Sequence, residues 1–138
     1  MTKANPRADT EAFTEISVMF PFKTKEDILI FEGNLATDPK LMDKLVKYLS
    51  QIGGYSAKEY IVRIMRKVFT NDVARQSSWR GLRNNFKISY LKTTLGIKIA
   101  VMTRFKMTDK EFDEMTSEWL RQANQHCTRE QKRVQNNL

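Results

Sequence analysis

The sequence of 138 residues has one cysteine, one histidine, five glycines and three prolines. A single cysteine, Cys127, excludes a disulfide within the chain and suits a reducing compartment. His126 beside it cannot complete a zinc site, which needs three or four ligands. With 41% hydrophobic residues and little glycine or proline, the chain is neither disordered nor collagen-like. We therefore expect a folded domain that holds no metal.

Long apolar runs and catalytic motifs are also lacking. No stretch approaches about 18 consecutive apolar residues, and the start up to Thr14 has no apolar signal-peptide core. We therefore expect neither membrane contact nor secretion, and a nuclear protein, with the cytoplasm as the alternative. There is no phosphate-binding glycine loop and no GxSxG motif. We predict no enzyme activity, no cofactor and no small-molecule substrate.

Positive charge is concentrated in one part of the chain. Residues 57–110 hold 13 Lys/Arg and 3 Asp/Glu, a balance of +10, whereas 1–56 and 111–138 each have a balance of −1. A domain that needed charge only for solubility would not require such clustering. The distribution indicates a basic surface with an acidic partner.

Helix-start signals recur along the chain, each followed by apolar residues at helical spacing. Asp38-Pro39 combines a helix cap with proline at the first helical position. Capping boxes, in which two side chains satisfy each other's backbone N–H groups, are expected at Thr24/Asp27, Ser56/Glu59 and Thr108/Glu111. These signals predict a succession of helices.

The signals between the helices are weaker. Gly53-Gly54 predicts a left-handed turn after one helix, and Asn71 is expected to cap a short one. A polar loop is expected from Gln76 to Asn85, with Gly81 as its turn residue.

The apolar residues of the last third predict two more helices. In the first, apolar residues recur every three to four positions: Ile88, Leu91, Leu95, Ile99 and Met102. In the second, the residues expected to face inward are Phe112, Met115, Trp119 and Ala123. β-Branching and Gly96 leave a strand open for Ile97 to Val101.

The predicted fold class is all-α, a single compact domain of five to six helices. We expect a flexible leader over residues 1–19 and a helical core domain over 20–102. Residues 103–138 are expected to add a C-terminal helix and a polar tail that begins at about Thr128.

Four sequence blocks resemble an uncharacterised "domain of unknown function" family found in insects and other invertebrates, often in proteins that look transposon-derived. They are FPFKTKEDILIFEGNL (20–35), KLVKYLSQIGG (44–54), VRIMRKVFTNDVA (62–74), and Trp79-Arg80-Gly81 with Phe86. The family implies no activity. The FTNDVA turn after a leucine-rich helix also gives a lesser resemblance to the BEN domain, a helical module that binds DNA and mediates protein contacts.

The basic segment is the candidate binding site. Lys and Arg release counterions when they contact nucleic-acid phosphates, and Arg can also form two hydrogen bonds with guanine. The predicted nucleic-acid-binding residues are Arg63, Arg66 and Lys67 on a helix, and Arg75, Arg80, Arg83 and Lys87 in the loop after it. DNA is favoured over RNA. The alternatives are a surface that meets an acidic protein and a solvated basic face without a partner.

Two further features have alternative interpretations. Trp79 could stack on a base, but beside Gly81 it is expected to anchor its own loop. The C-terminal helix has more apolar residues than its length requires. We expect most of them to complete the core, and part of them to form a homodimer interface.

Overall fold

The computed structural model of the protein describes residues 14–81 and 85–136. Residues 14–17 form a helical segment, α1. The elements that follow are α2 (Lys25–Thr37), α3 (Pro39–Ser50), α4 (Ala57–Val68), α5 (Asn71–Arg75), β1 (Ser77–Ser78), β2 (Phe86–Lys87), α6 (Lys92–Arg104) and α7 (Asp109–Asn136). Seven helices and two very short strands among the described residues confirm the all-α class.

The predicted starts of α2 and α3 are confirmed at atomic level. The hydroxyl of Thr24 accepts a hydrogen bond from the N–H of Asp27, and the Asp27 carboxylate accepts one from the N–H of Thr24. Asp38 caps the next helix by accepting from the N–H of Lys40. These caps replace hydrogen bonds that the first turn of a helix lacks, so the chain specifies both starts locally.

The predicted glycine turn lies between α3 and α4. Gly53 has a φ of 63°, which favours glycine, and a Cβ there would lie 3.0 Å from Nη1 of Arg104. A Cβ at Gly54 would lie 2.8 Å from the backbone nitrogen of Tyr60. The turn therefore allows α4 to pack directly on the end of α3, where the Tyr60 hydroxyl donates a 2.7 Å hydrogen bond to the carbonyl of Leu49.

The segment before α2 is attached to the end of α4. Phe22 forms an isolated parallel bridge with Phe69. Its N–H donates to the carbonyl of Val68 at 2.7 Å, and its carbonyl accepts from the N–H of Thr70 at 3.1 Å. Phe22 also belongs to an aromatic cluster whose neighbouring ring centroids lie 5.1 to 5.8 Å apart: Phe20, Phe22, Phe31, Tyr48 and Phe69.

Two local predictions need correction. The cap of α5 is Thr70, whose hydroxyl accepts from the N–H of Val73 at 3.3 Å; Asn71, the expected cap, is the first helical residue. The stretch expected to be a loop contains β1, which pairs in parallel with β2 through Ser77↔Phe86 and Ser78↔Lys87. Gly81 does take the predicted turn conformation, with a φ of 74°. Strands of two residues leave no alternation in the sequence to detect.

α6 is a helix, so the strand interpretation of Ile97 to Val101 is wrong. The apolar spacing that predicted the helix does not mark its buried face, because Leu95 and Ile99 are exposed and Ile88 and Leu91 precede the first helical residue. The buried residues are smaller on average: Thr93, Thr94, Gly96, Ile97, Ala100 and Val101. Gly96 allows a close approach to α3, since a Cβ there would lie 2.6 Å from Cδ2 of Leu45.

α6 receives its N-terminal cap from another helix. Leu91 stands at the cap position and offers no side-chain hydrogen bond. The carboxylate of Glu32 on α2 accepts instead from the N–H of Lys92 at 2.6 Å, and from the N–H and hydroxyl of Thr93 at 2.9 and 2.8 Å. Glu32 therefore fixes the position of α6 relative to α2.

α7 packs against α4, α5 and β1 and completes the core. The Thr108/Glu111 capping box at its start is confirmed. Its buried residues include the predicted Phe112, Trp119 and Ala123, and Met115 packs beside them. The helix continues through the predicted polar tail to Asn136.

The described helical structure extends into the predicted leader. Residues 14–17 are helical, and Ile16 is buried in the core. The first part of that leader, residues 1–13, lies outside the described residues.

Candidate nucleic-acid interface

The predicted basic helix does present its cations together. Arg63, Arg66 and Lys67 are all exposed on α4, and their three- and four-residue spacing places them on one face. We call this set the α4 ridge. Its opposite face is buried through Tyr60, Ile64 and other apolar residues, so packing aims the ridge outward.

One cation of the ridge is paired and two are not. Arg63 forms a salt bridge with Glu59 of the preceding turn, with 2.9 Å between Nη2 and Oε1. Within the described residues, Arg66 and Lys67 have no acidic partner within 4.0 Å. Their charge is therefore available to a ligand.

Arg66 lies at a groove of about 670 Å³ between α4 and α7. The groove has an apolar floor that includes Phe69 and Trp119, and neutral polar groups from Asn71 and Gln122. Among the described residues that line it there is no Asp or Glu. Of the described lining residues, an anion at Arg66 would thus meet amide groups.

Lys67 lies at a second groove, of about 320 Å³, on the other side of the ridge. α1 and α3 form its wall, with Ser17, Tyr48 and Gln51 among the lining residues. The described residues that line this groove, too, include no Asp or Glu. The α4 ridge is therefore flanked on both sides by neutral hydrogen-bonding groups.

The acids of the basic segment are already paired with its bases. Residues 57–110 contain three: Glu59, Asp72 and Asp109. Glu59 pairs with Arg63, Asp72 with Arg75, and Asp109 with Lys98. Between Val73 and Thr108 the sequence has no acidic residue at all. Most of the excess charge is therefore not neutralised within the segment.

The predicted loop cations do not join the ridge. Arg75 is half-buried and bound to Asp72 at 3.2 Å. Arg80 lines a separate groove of about 650 Å³ beneath the first turns of α7, which also contains Asp113 and Glu114. Lys110 and Arg121, which the sequence analysis did not single out, line the same groove. Arg80 lies near Lys110 and Arg121 because of where α7 packs. No local sequence pattern indicates that packing.

The remaining loop residues serve the loop itself. Lys87 places its ammonium group 3.4 Å from the ring centroid of Tyr90. Trp79 is half-buried and packs edge-on against Phe112, with ring centroids 6.3 Å apart, so the expectation that it anchors its loop is confirmed. Arg83 lies outside the described residues, as do the side chains of His126 and Cys127.

Two kinds of feature are absent from the described residues. They contain no cluster of three or more His, Cys, Asp or Glu side chains arranged to hold a metal ion. None of the helices in residues 14–81 and 85–136 has the length and apolar character needed to cross a bilayer.

The fold and the ridge define a compact all-α domain with a basic surface. A protein-family model described as a domain of unknown function, DUF4806, matches residues 14–109. The chain belongs to this family. The matched region is wider at both ends than the expected 20–102 and includes α1 and the start of α7. No curated protein and no solved structure matches the chain.

Proposed function

We propose that the protein is a non-enzymatic, nuclear DNA-binding domain that contacts the backbone of duplex DNA through the α4 ridge. The observation that carries this proposal is the exposure of Arg66 and Lys67 between two grooves: within the described part of the chain, neither cation has an acidic partner and neither groove is lined by a carboxylate. Phosphate contacts need cations and neutral donors without competing acids. The lesser resemblance to the BEN domain, which binds DNA, agrees with it.

In this proposal the loop residues contribute less to DNA binding than the α4 ridge does. Arg80 shares its groove with two carboxylates, Asp113 and Glu114, which repel a phosphate, and with two further cations, Lys110 and Arg121. The grooves beside the α4 ridge have no carboxylate among their described lining residues. Arg75 and Lys87 are engaged with Asp72 and Tyr90. We therefore assign the stronger contacts to α4, and contacts by Arg75, Arg80, Arg83 and Lys87 remain a prediction.

Duplex DNA fits the ridge better than single-stranded RNA. Readers of single strands stack bases on exposed aromatic rings. At the two grooves beside the ridge, Trp119, Phe69 and Tyr48 are all buried in the core. The rings are therefore not presented for stacking.

The test is fluorescence anisotropy of the full chain with random-sequence duplex DNA, comparing wild type with the Arg66→Gln/Lys67→Gln variant. If each cation contacts one phosphate, counterion release predicts about an eightfold loss per contact at about 0.1 M salt, or roughly 60-fold for both. The slope of log affinity against log salt should become shallower by about 2. Glutamine is a good helix former, so α4 should stay folded.

The charge-matched control is Lys40→Gln/Lys47→Gln on α3, which removes two exposed cations outside the basic segment. It should bind DNA almost as well as wild type. An Arg80→Gln/Arg121→Gln variant separates the ridge from the groove under α7. Loss of binding in that variant, with the ridge variant unaffected, would overturn the assignment to α4. Absence of salt-sensitive binding by the wild type would overturn the proposal itself.

We do not extend the proposal to self-association through α7. Phe112, Trp119 and Leu120 are buried in the protein's own core, and Phe105, Met107 and Met115 pack against it. The apolar residues that suggested a dimer are therefore largely used within one chain. Sedimentation of the full chain should show a monomer at micromolar concentration.

A further inference from the structure

The outer face of α6 carries large apolar side chains. Leu95 and Ile99 are 50% and 41% exposed, and Met102, half-buried, continues the row at the next turn. Tyr90, two residues before the helix, is 81% exposed. The spacing of four and three residues places Leu95, Ile99 and Met102 in one stripe. We call this stripe the α6 ridge.

Large apolar side chains lie on the outer face of α6, where packing within this chain does not require them. The inner face of the helix combines Ile97 and Val101 with the smaller Thr93, Gly96 and Ala100, whereas the outer face has leucine, isoleucine and methionine. Gly96 brings the backbone of α6 close to Leu45, so at that position the inner face has no room for a larger residue. The outer side chains contribute little to the stability of this fold. A row of this kind is typical of a surface that another helix covers.

The charged residues on α6 itself are all basic. Lys92 and Lys98 lie three residues on either side of Leu95, and Lys87 lies over the ring of Tyr90. The two nearby carboxylates are already engaged: Asp109 with Lys98 at 3.0 Å, and Glu32 with the backbone of Lys92 and Thr93. α6 itself has no acidic residue.

We propose that the α6 ridge binds an amphipathic helix of a partner protein, one whose apolar face is bordered by Asp and Glu. Leu95, Ile99 and Met102 would supply the apolar contact, and Lys92 the complementary charge. A second copy of α6 is a poor occupant, because the two helices would bring their lysines together. This surface shares no residue with the α4 ridge, so its test does not depend on DNA binding.

The experiment is a two-dimensional ¹H–¹⁵N NMR titration of the full chain. The probe is a synthetic helical peptide with leucines at i, i+4 and i+7 and glutamates beside them. Shifts of the amides of Tyr90 to Thr103, saturating at or below the order of 1 mM peptide, are the expected result. A second peptide, with lysine in place of each glutamate, should leave those amides unchanged.

The variant is Leu95→Ser/Ile99→Ser, and its matched control is Leu29→Ser/Ile30→Ser, which alters two exposed apolar residues on α2. The α6 variant should weaken peptide binding about tenfold or more, and the α2 variant should not. Equal binding of the two peptides, or shifts that fall elsewhere, would overturn the proposal. Shifts of the same amides on raising the protein concentration alone would assign the ridge to a second copy. Binding of anionic lipid vesicles without the peptide would assign it to a membrane.

Discussion

Gly33 and Gly96 both lie inside helices, and we expect replacement by alanine to change the stability of the protein in opposite directions. Alanine in a helix interior is favoured over glycine by about 1 kcal/mol. Gly33 on α2 is exposed, and a Cβ there would have no heavy atom within 4 Å. Gly33→Ala should therefore stabilise the protein by about 0.8–1 kcal/mol.

At Gly96 the same preference meets a steric obstacle. The new Cβ would lie 2.6 Å from Cδ2 of Leu45 and 3.3 Å from Sδ of Met42. Ordinary carbon contacts are about 3.5–4.0 Å, and Leu45 is fully buried, so α3 and α6 must separate. Overpacking costs about 1–3 kcal/mol, and we take the upper half because the contact is so short. After the gain in propensity, Gly96→Ala should destabilise by about 1–2 kcal/mol.

Thermal and urea unfolding, followed by circular dichroism, measure both effects. For a chain of this size about 1 kcal/mol shifts Tm by roughly 3–5 °C, so the variants should move to opposite sides of wild type. A double-mutant cycle with Leu45→Ala tests the cause, because removing Cδ2 should relieve most of the Gly96→Ala penalty. If Gly96→Ala is as stable as wild type, or its effect is simply additive with Leu45→Ala, the steric reasoning is refuted.

Three further predictions concern polar groups that the fold positions. Glu32→Gln should lower stability by about 1–2 kcal/mol in urea unfolding, because the amide replaces one acceptor of the α6 cap with a donor; an unchanged midpoint would contradict the role of this cap. Thr70→Ala should cost about 1 kcal/mol through loss of the α5 cap, whereas Asn71→Ala should cost less, which reverses the order expected from sequence. Burial raises the pKa of the Tyr48 and Tyr60 hydroxyls above their ordinary 10.0. The unfolded chain then loses these protons first, so Tm should fall as pH rises above about 10, and less steeply in Tyr60→Phe.

The helix starts could be predicted because their determinants are local. Thr24 with Asp27, Asp38 before Pro39, and Thr108 with Glu111 each place cap and N–H within three residues. The outcome therefore depends little on the rest of the chain. The same holds for Gly53, whose left-handed conformation follows from its place in a turn.

The orientation of α6 could not be predicted in this way. Both faces of the helix are apolar, so the spacing of Leu95 and Ile99 fits an inward face as well as an outward one. Which face is buried depends on how closely α3 and α6 approach each other. Gly96 permits the close approach because it has no Cβ to meet Leu45. The parallel pairing of Ser77 with Phe86 is likewise a tertiary contact between strands too short to show a pattern.

The candidate site, like the fold, could be predicted only in part. Arg63, Arg66 and Lys67 share a helix, so their common face follows from their spacing. The position of Arg80 opposite Asp113 and Glu114 depends on the packing of α7, which lies some thirty residues further along the chain. The net charge of a sequence segment does not show which carboxylates from other segments lie beside it in the folded protein.

The cap that Glu32 provides has a consequence for how the chain behaves before it is folded. α6 has three threonines, two isoleucines, a valine and a glycine, and no cap of its own, so an isolated peptide of this segment should be largely unstructured or extended. It becomes a helix only when a carboxylate about sixty residues earlier reaches its first turn. Until then, an apolar stretch with high β-propensity stays exposed to other chains. Loss of the Glu32 carboxylate should therefore appear first as aggregation during refolding.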